Sequence, residues 1–208
     1  YFVGNLMIDS LYFALNKIKE REKFNNNDYG LVTLHRPSNV DNVDSLVEIL
    51  DALSIISEEL TLYFSVHPRT KARLDELKGK KSDKRIRLMK AMGFLDYIKL
   101  QQNAKCVVSD SGTIAEESSL LRIPSITLRQ AHERPEGMDE GTLVMSGLDS
   151  NDIINAISVV TAPGKKHQIV KDYDVDNVSI KVTRIILSYI DYINRTVWKK
   201  GEATRTFR

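Results

Sequence analysis

The chain has a single cysteine, Cys106, in 208 residues, so no internal disulfide can form. The apolar run around it, "KCVVSD", points to a buried inert thiol rather than a reactive one. Lone-cysteine usage fits a reducing cytosol, the expected setting. Long hydrophobic runs are also missing. No stretch approaches the ~20 apolar residues that span a bilayer, so no membrane partner is expected. Charge of one sign is missing too: Lys+Arg total 30 against 28 Asp+Glu, a formal net charge of +2. With acids and bases interspersed, there is no general field for nucleic acid or acidic lipid. No acid or thiol stands at a ligand-like spacing from the histidines, so no metal site is expected. No repeat, low-complexity tract or secretory signal pattern stands out. The chain opens at Tyr1 rather than Met, already inside helix-like sequence, as expected of a fragment.

Apolar residues make up 42% and charged residues 28%, ordinary for a globular domain. Short apolar runs alternate with longer amphipathic ones. The strand candidates are "YGLVTLH", "LTLYFSVH", "RIRLMKA", "KCVVSD", "IPSITLR" and "TLVMSG". The first helix carries Met7, Leu11, Leu15 and Ile18 on one face. The second, capped by Asn42, carries Val43, Leu46, Val47, Leu50 and Leu53. "PRTKARLDELKG" reads as a short helix closed by Gly79, and "QAHERPEGMDEG" as a polar loop. A long last helix over about 177–198 has Val178, Val182, Ile185, Ile186, Tyr189 and Ile193 on its stripe, read as packing or as an inter-domain strap. Strands without period-2 alternation imply a sheet covered on both faces. The fold class is therefore α/β, a doubly wound parallel, Rossmann-like sheet.

In such sheets ligands bind beyond the carboxyl ends of the strands, and the polar residues gather there. His35, Arg36 and Asn39 follow the first strand, and His67 and Arg69 the second. Ser109, Asp110, Ser111 and Gly112 follow the fourth. Arg129, His132, Glu133 and Arg134 follow the fifth, and Tyr97 lies on the adjacent helix. In "VVSDSGTIAEESSLL" a buried strand turns at Gly112 into a fresh helix N-terminus, where free N–H groups and partial positive charge suit a phosphate. Ser111, Gly112 and Thr113 could hold a diphosphate. Glu117, one turn further on, could accept from two ribose hydroxyls. The plain alternative is a helix cap at Asp110 or Ser111 and a solvated Glu117. Each histidine reads either as structural or as functional. Arg36 and Arg69 read as phosphate ligands or surface charges, and Tyr97 as a base-stacking ring or part of a half-buried helix face.

The stretches "LVTLHRPSNVDN", "VHPRT", "VVSDSGTIAEESSLL" and "RQAHERPEGMDEGT", in this order, resemble the non-hydrolysing UDP-N-acetylglucosamine 2-epimerase family. The likeness runs from "VGNLMIDSL" to "DYINRTVWKK". Within the family, "RQAHERPEGMDEGTLVMSGL" and "YINRTVWKK" are similar to the branch that makes UDP-N-acetyl-L-fucosamine for capsule and O-antigen. The resemblance implies the C-terminal half of a GT-B-type two-domain fold. Residues 1–208 would form one UDP-binding domain, and the N-terminal half, which moves the C2 proton, would be absent. It further implies a UDP-sugar ligand, no cofactor, a homodimer at full length, and inactivity of this chain alone. UDP would leave C1 as the C2 proton is lost, then add back to the glycal after reprotonation on the other face. By the same resemblance His35 lies beside the diphosphate and is the catalytic candidate. Arg36, Tyr97, Ser111, Gly112, Thr113 and Glu117 bind UDP. Asn39, His67, Arg69, Arg129, Glu133, Arg134 and Glu136 lie near the site. Thr113 departs from the family's common second glycine. His67 and Arg69 match a region that contacts a regulatory sugar nucleotide in some members, though "HPRT" differs from the usual sequence. The rivals are the nucleotide half of a GT-B glycosyltransferase and a non-catalytic UDP-sugar-binding module.

Overall fold

Six strands form one sheet in the computed structural model, which describes residues 1, 3–19, 28–77, 85–131, 134–164 and 168–200. They are β1 (Tyr29–Leu34), β2 (Thr61–Val66), β3 (Ile86–Lys90), β4 (Cys106–Ser109), β5 (Ser125–Thr127) and β6 (Val144–Met145). Their order is β3-β2-β1-β4-β5-β6, and each pairing is parallel. The chain winds outward from β1 to β3, then returns to the other side of β1 to lay down β4. The winding reverses between β1 and β4, the crevice where open α/β sheets bind ligands.

Every strand position recognised in the sequence is a strand; in the central strands β1 and β4 burial on both faces favours apolar residues, whereas β3 is largely exposed. Successive residues point to opposite faces. Val32, Leu34, Phe64 and Val108 meet one layer: Ile49 and Leu53 of α3 (Val43–Ile56), and Ile153 and Ile157 of α8 (Ser150–Thr161). Tyr29, Leu31 and Val107 meet the other: Ile8 of α1 (Leu6–Ile18), Leu100 of α5 (Phe94–Gln102), and Ile114 and Ala115 of α6 (Ile114–Leu121). Cys106 is fully buried, and burial pushes its thiol up to about 12. Asn42 caps α3 as expected, its side chain accepting from the Ser45 N–H at 3.0 Å.

The structure corrects several details. On α1 the buried face is Ile8, Leu11, Ala14 and Ile18, with Met7 and Leu15 only partly covered. On α3 it runs Leu46, Ile49, Leu53 and Ile56, while Val43, the first helical residue, is exposed. The loop "QAHERPEGMDEG" contains a short helix, α7 (Glu136–Asp139). α7 lies against α6: a Cβ at Gly137 would stand 3.4 Å from that of Ala115, an ordinary packing contact. Two further short helices are α2 (Pro37–Val40) and α4 (Pro68–Glu76); Gly79 lies outside the described residues. The last helix, α9 (Val178–Thr196), starts where Asp9 of α1 accepts the N–H groups of Val178 and Ser179 at 3.1 and 2.7 Å. Only Val178 of its apolar stripe is fully buried, and Ile186 and Tyr189 are exposed. Packing therefore accounts for the start of α9 and not for its length. Among the described residues no helix is long and apolar enough to cross a membrane.

Candidate functional site

β1 and β4 are hydrogen-bonded neighbours, with Thr33 opposite Ser109, so the residues just beyond them meet. Asp110 is the centre of that meeting and is fully buried. Its carboxylate accepts the His35 N–H at 3.1 and 3.0 Å and the Arg36 N–H at 2.9 Å. It also lies 3.0 Å from His35 Nδ1 and accepts from Asn39 Nδ2 at 3.4 Å. The bond to Asp110 raises the pKa of His35, against the opposing effect of burial. In sequence Asp110 read as one of the polar residues at the strand ends and as a possible helix cap, yet α6 has no side-chain cap. The available signal was an acid placed directly after a buried strand.

The turn after β4 is held by its own hydroxyls. The Ser111 N–H donates to Ser109 Oγ at 3.0 Å, and the Ser111 and Thr113 hydroxyls lie 2.9 Å apart. Thr113 in turn donates to Glu117 at 2.6 Å, so the shared proton comes from Ser111. The N-terminal N–H groups of α6 have no intrahelical acceptor. A small cleft beside them is lined by Ser111, Gly112, Ile114, Ala115, Thr127, Arg129, Arg134 and Leu143. Thr127 is buried, and its hydroxyl has no hydrogen-bond partner among the described residues. Among the described residues the positive-φ glycines are Gly4, Gly141 and Gly147, so the turn at Gly112 does not rest on left-handed backbone.

Glu117 is not the solvated acid of the plain reading. It is 4% exposed, and its second oxygen accepts from Gln101 Nε2 at 2.6 Å. Burial raises its pKa, opposed by the bonds from Thr113 and Gln101. Gln101 was missed in the sequence, although it lies one helical turn after Tyr97 on the same face of α5. Tyr97 sits beside Glu117; burial first, then the Glu117 charge, holds its phenol well above the usual tyrosine range, against a bond from Thr33. Glu116, the next residue around the helix, is fully buried. It accepts from Arg134 Nε at 3.0 Å and from Asn5 Nδ2 at 2.6 Å. Arg134 also donates to the Gly112 carbonyl, which clamps the turn to the helix behind it.

The other candidates divide. Asn39 is a buried brace that donates to the Leu128 carbonyl at 2.8 Å. Arg129, also buried, donates from Nε to the Asp110 carbonyl at 3.2 Å. Arg36, Asn39 and Arg129 share a second, larger and open cleft with Asn42 and Leu148. His67 is exposed and caps α4, accepting the Arg69 N–H on Nδ1 at 3.2 Å. Its ring lies 6.1 Å from that of His35. Arg69 is paired with Asp41 at 2.6 Å. Glu136 accepts from the Tyr173 hydroxyl at 3.2 Å and does not line either cleft. Glu133 lies outside the described residues.

A family profile described as UDP-N-acetylglucosamine 2-epimerase matches residues 1–187. The UDP-N-acetylglucosamine 2-epimerase of Methanocaldococcus jannaschii is 35% identical over 176 residues, which are 77% of this chain and 47% of that protein. The structure of UDP-N-acetylglucosamine 2-epimerase from Rickettsia bellii superposes with a TM-score of 0.84 at 41% identity, covering 95% of this chain and 56% of that one. The M. jannaschii enzyme in complex with UDP-GlcNAc and UDP gives a TM-score of 0.80 at 30% identity, covering 90% and 54%. The chain thus spans about half the length of the relatives it matches. With the profile running through β1 to β6 and into α9, the chain belongs to the UDP-N-acetylglucosamine 2-epimerase family.

Proposed function

We propose that this chain is the UDP-binding half of a cytosolic UDP-sugar 2-epimerase whose N-terminal half carries the proton-transfer groups. The cleft at the start of α6 carries the reading: Ser111 and Gly112 of the turn, the first residues of the helix, Thr127 and Arg134 line one small space. A diphosphate there meets the positive end of the helix dipole. Glu117, one turn deeper and already ringed by donors, accepts from the ribose hydroxyls, and Tyr97 flanks it toward the base. The M. jannaschii relative in complex with UDP-GlcNAc and UDP supports the ligand class.

In the reaction, the C1–O bond breaks and its electron pair leaves with UDP, while a base of the other half takes the C2 proton. The glycal that forms has its double bond between C1 and C2. Reprotonation at C2 from the opposite face and return of UDP to C1 give the epimer, with no net redox change. This half stabilises the negative charge gathering on departing UDP, through donors fixed before the reaction begins. His35, Ser111, Gly112 and Thr113 supply that function. The substrate is a UDP-2-acetamido sugar, with the fucosamine branch as the finer assignment, and the full-length protein is a homodimer.

Calorimetric titration with UDP tests the site. Incubation with UDP-N-acetylglucosamine in heavy water tests the division of labour. The chain is expected to bind UDP and to place no deuterium at C2. Absence of UDP binding sinks the site, and deuterium at C2 at an enzymatic rate sinks the half-domain assignment.

A further inference from the structure

We propose that Asp110 is a positioning residue whose buried carboxylate orients His35 and keeps it cationic, leaving Nε2–H as the donor toward the leaving diphosphate. This rests on the UDP reading above and names a residue that reading leaves without a role. An ionised carboxylate only accepts. With Asp110 Oδ1 3.0 Å from His35 Nδ1, the proton on that side of the ring is fixed at Nδ1, and Nε2 is the nitrogen left for a ligand. A neutral ring would offer Nε2 as an acceptor, which repels phosphate oxygen. A charged ring offers it as a donor. Asp110 therefore selects the form that a departing anion needs.

The surroundings fit positioning rather than contact. Asp110 is fully buried, whereas the His35 side chain is 42% exposed. Asp110 is itself tied down from three sides. The N–H groups of His35 and Arg36 hold it from β1, Asn39 links it to the Leu128 carbonyl, and Arg129 grips its own carbonyl. Such outer partners set the orientation and basicity of the group that works. The charges facing His35 are Asp110 from β4, which favours the cation, and Arg36 ahead of α2, which opposes it. His67, at the end of β2, has its ring 6.1 Å away. Asp110 dominates by contact. His35 thus stays protonated above its ordinary pKa of about 6.5. UDP affinity holds at lower pH and falls as pH rises through the raised value.

The test uses the 208-residue chain with 15N-labelled histidine, His35 being assigned by His35→Gln. In the unmodified chain His35 is expected to titrate above about 6.5 with Nδ1 protonated throughout. Asp110→Asn is expected to lower that pKa and to weaken UDP about ten-fold at pH 6, the scale of one hydrogen bond to a charged group. In the His35→Gln background the same change is expected to cost less than about two-fold, because positioning acts only through the imidazole. His35→Gln alone is expected to flatten the pH dependence of UDP binding, which tests the proposal even if Asp110→Asn fails to fold. A His35 that titrates at or below its ordinary value, or an equal UDP loss from Asp110→Asn in both backgrounds, overturns the proposal. The titration needs no ligand. A chain whose His35 titrates as expected but binds no UDP overturns the UDP reading and the ligand role with it, leaving the pair itself measured.

Discussion

Replacing Arg134 by alanine strips Glu116 of its only cationic partner among the described ion pairs. The Glu116 carboxylate is fully buried. One oxygen is shared between Arg134 and Asn5, and the other has no partner among the described residues. Breaking a buried ion pair from one side costs about 3–5 kcal/mol, because the surviving charge is left uncompensated. Two features lower that figure here. The Arg134 side chain is 31% exposed, so its own desolvation is partial. Burial already raises the Glu116 pKa, so the abandoned carboxylate can bind a proton rather than stay charged. We expect a loss of about 2–3 kcal/mol at pH 7, or about 4–12 °C in Tm for a chain of this size. The sign of the pH effect follows from linkage. A carboxyl whose folded pKa lies above its unfolded value weakens the fold at high pH, and the penalty is relieved as pH falls through the folded value. Without Arg134 that folded value climbs further. The gap between Arg134→Ala and the unmodified chain should therefore narrow between pH 7 and pH 5. Calorimetric unfolding at both pH values is the assay. A variant within about 0.5 kcal/mol of the unmodified chain, or a gap that does not narrow, would refute the reasoning.

Two further outcomes bear on the UDP site. Glu117→Gln keeps the size and one acceptor of the buried side chain. It is expected to weaken UDP about ten-fold to a hundred-fold and 2′,3′-dideoxy-UDP far less; equal losses for both ligands would remove the ribose role. Thr127→Val deletes a buried hydroxyl that has no partner among the described residues. Thermal unfolding should show unchanged stability or a gain of up to about 1 kcal/mol, while UDP affinity drops several-fold. A loss of stability above about 1 kcal/mol would mean that the protein itself uses the hydroxyl.

The strands were legible because each is a short apolar run ending in polar residues, and the Asn42 cap because its partner lies three residues away. What stayed hidden depends on neighbours remote in sequence. Asp110 looks like any turn acid until β4 is known to lie beside β1, and strand order is not written in periodicity. Helical spacing places Glu116 about 100° around from Glu117. It does not say that Asn5 and Arg134 wait there, and charged residues are exposed by default. Glu117 is not solvated, as its plain alternative had it; Gln101 on a different helix closes it in. A four-residue helix such as α7 is shorter than the period that reveals helices. The stripe on α9 records an apolar face without recording what covers it.

The position of β1 and β4 in the middle of the sheet also bears on how such a chain can diverge. His35 and Asp110 hang from the two innermost strands, so their spacing is set by hydrogen bonds that no edge can disturb. β3 and β6 lie at the rims, and β3 is largely exposed along its length. Lineages can lengthen, trim or decorate those rims and keep the same carboxylate–imidazole distance. Insertions should therefore accumulate outward from the site, while the two central strand ends tolerate almost none.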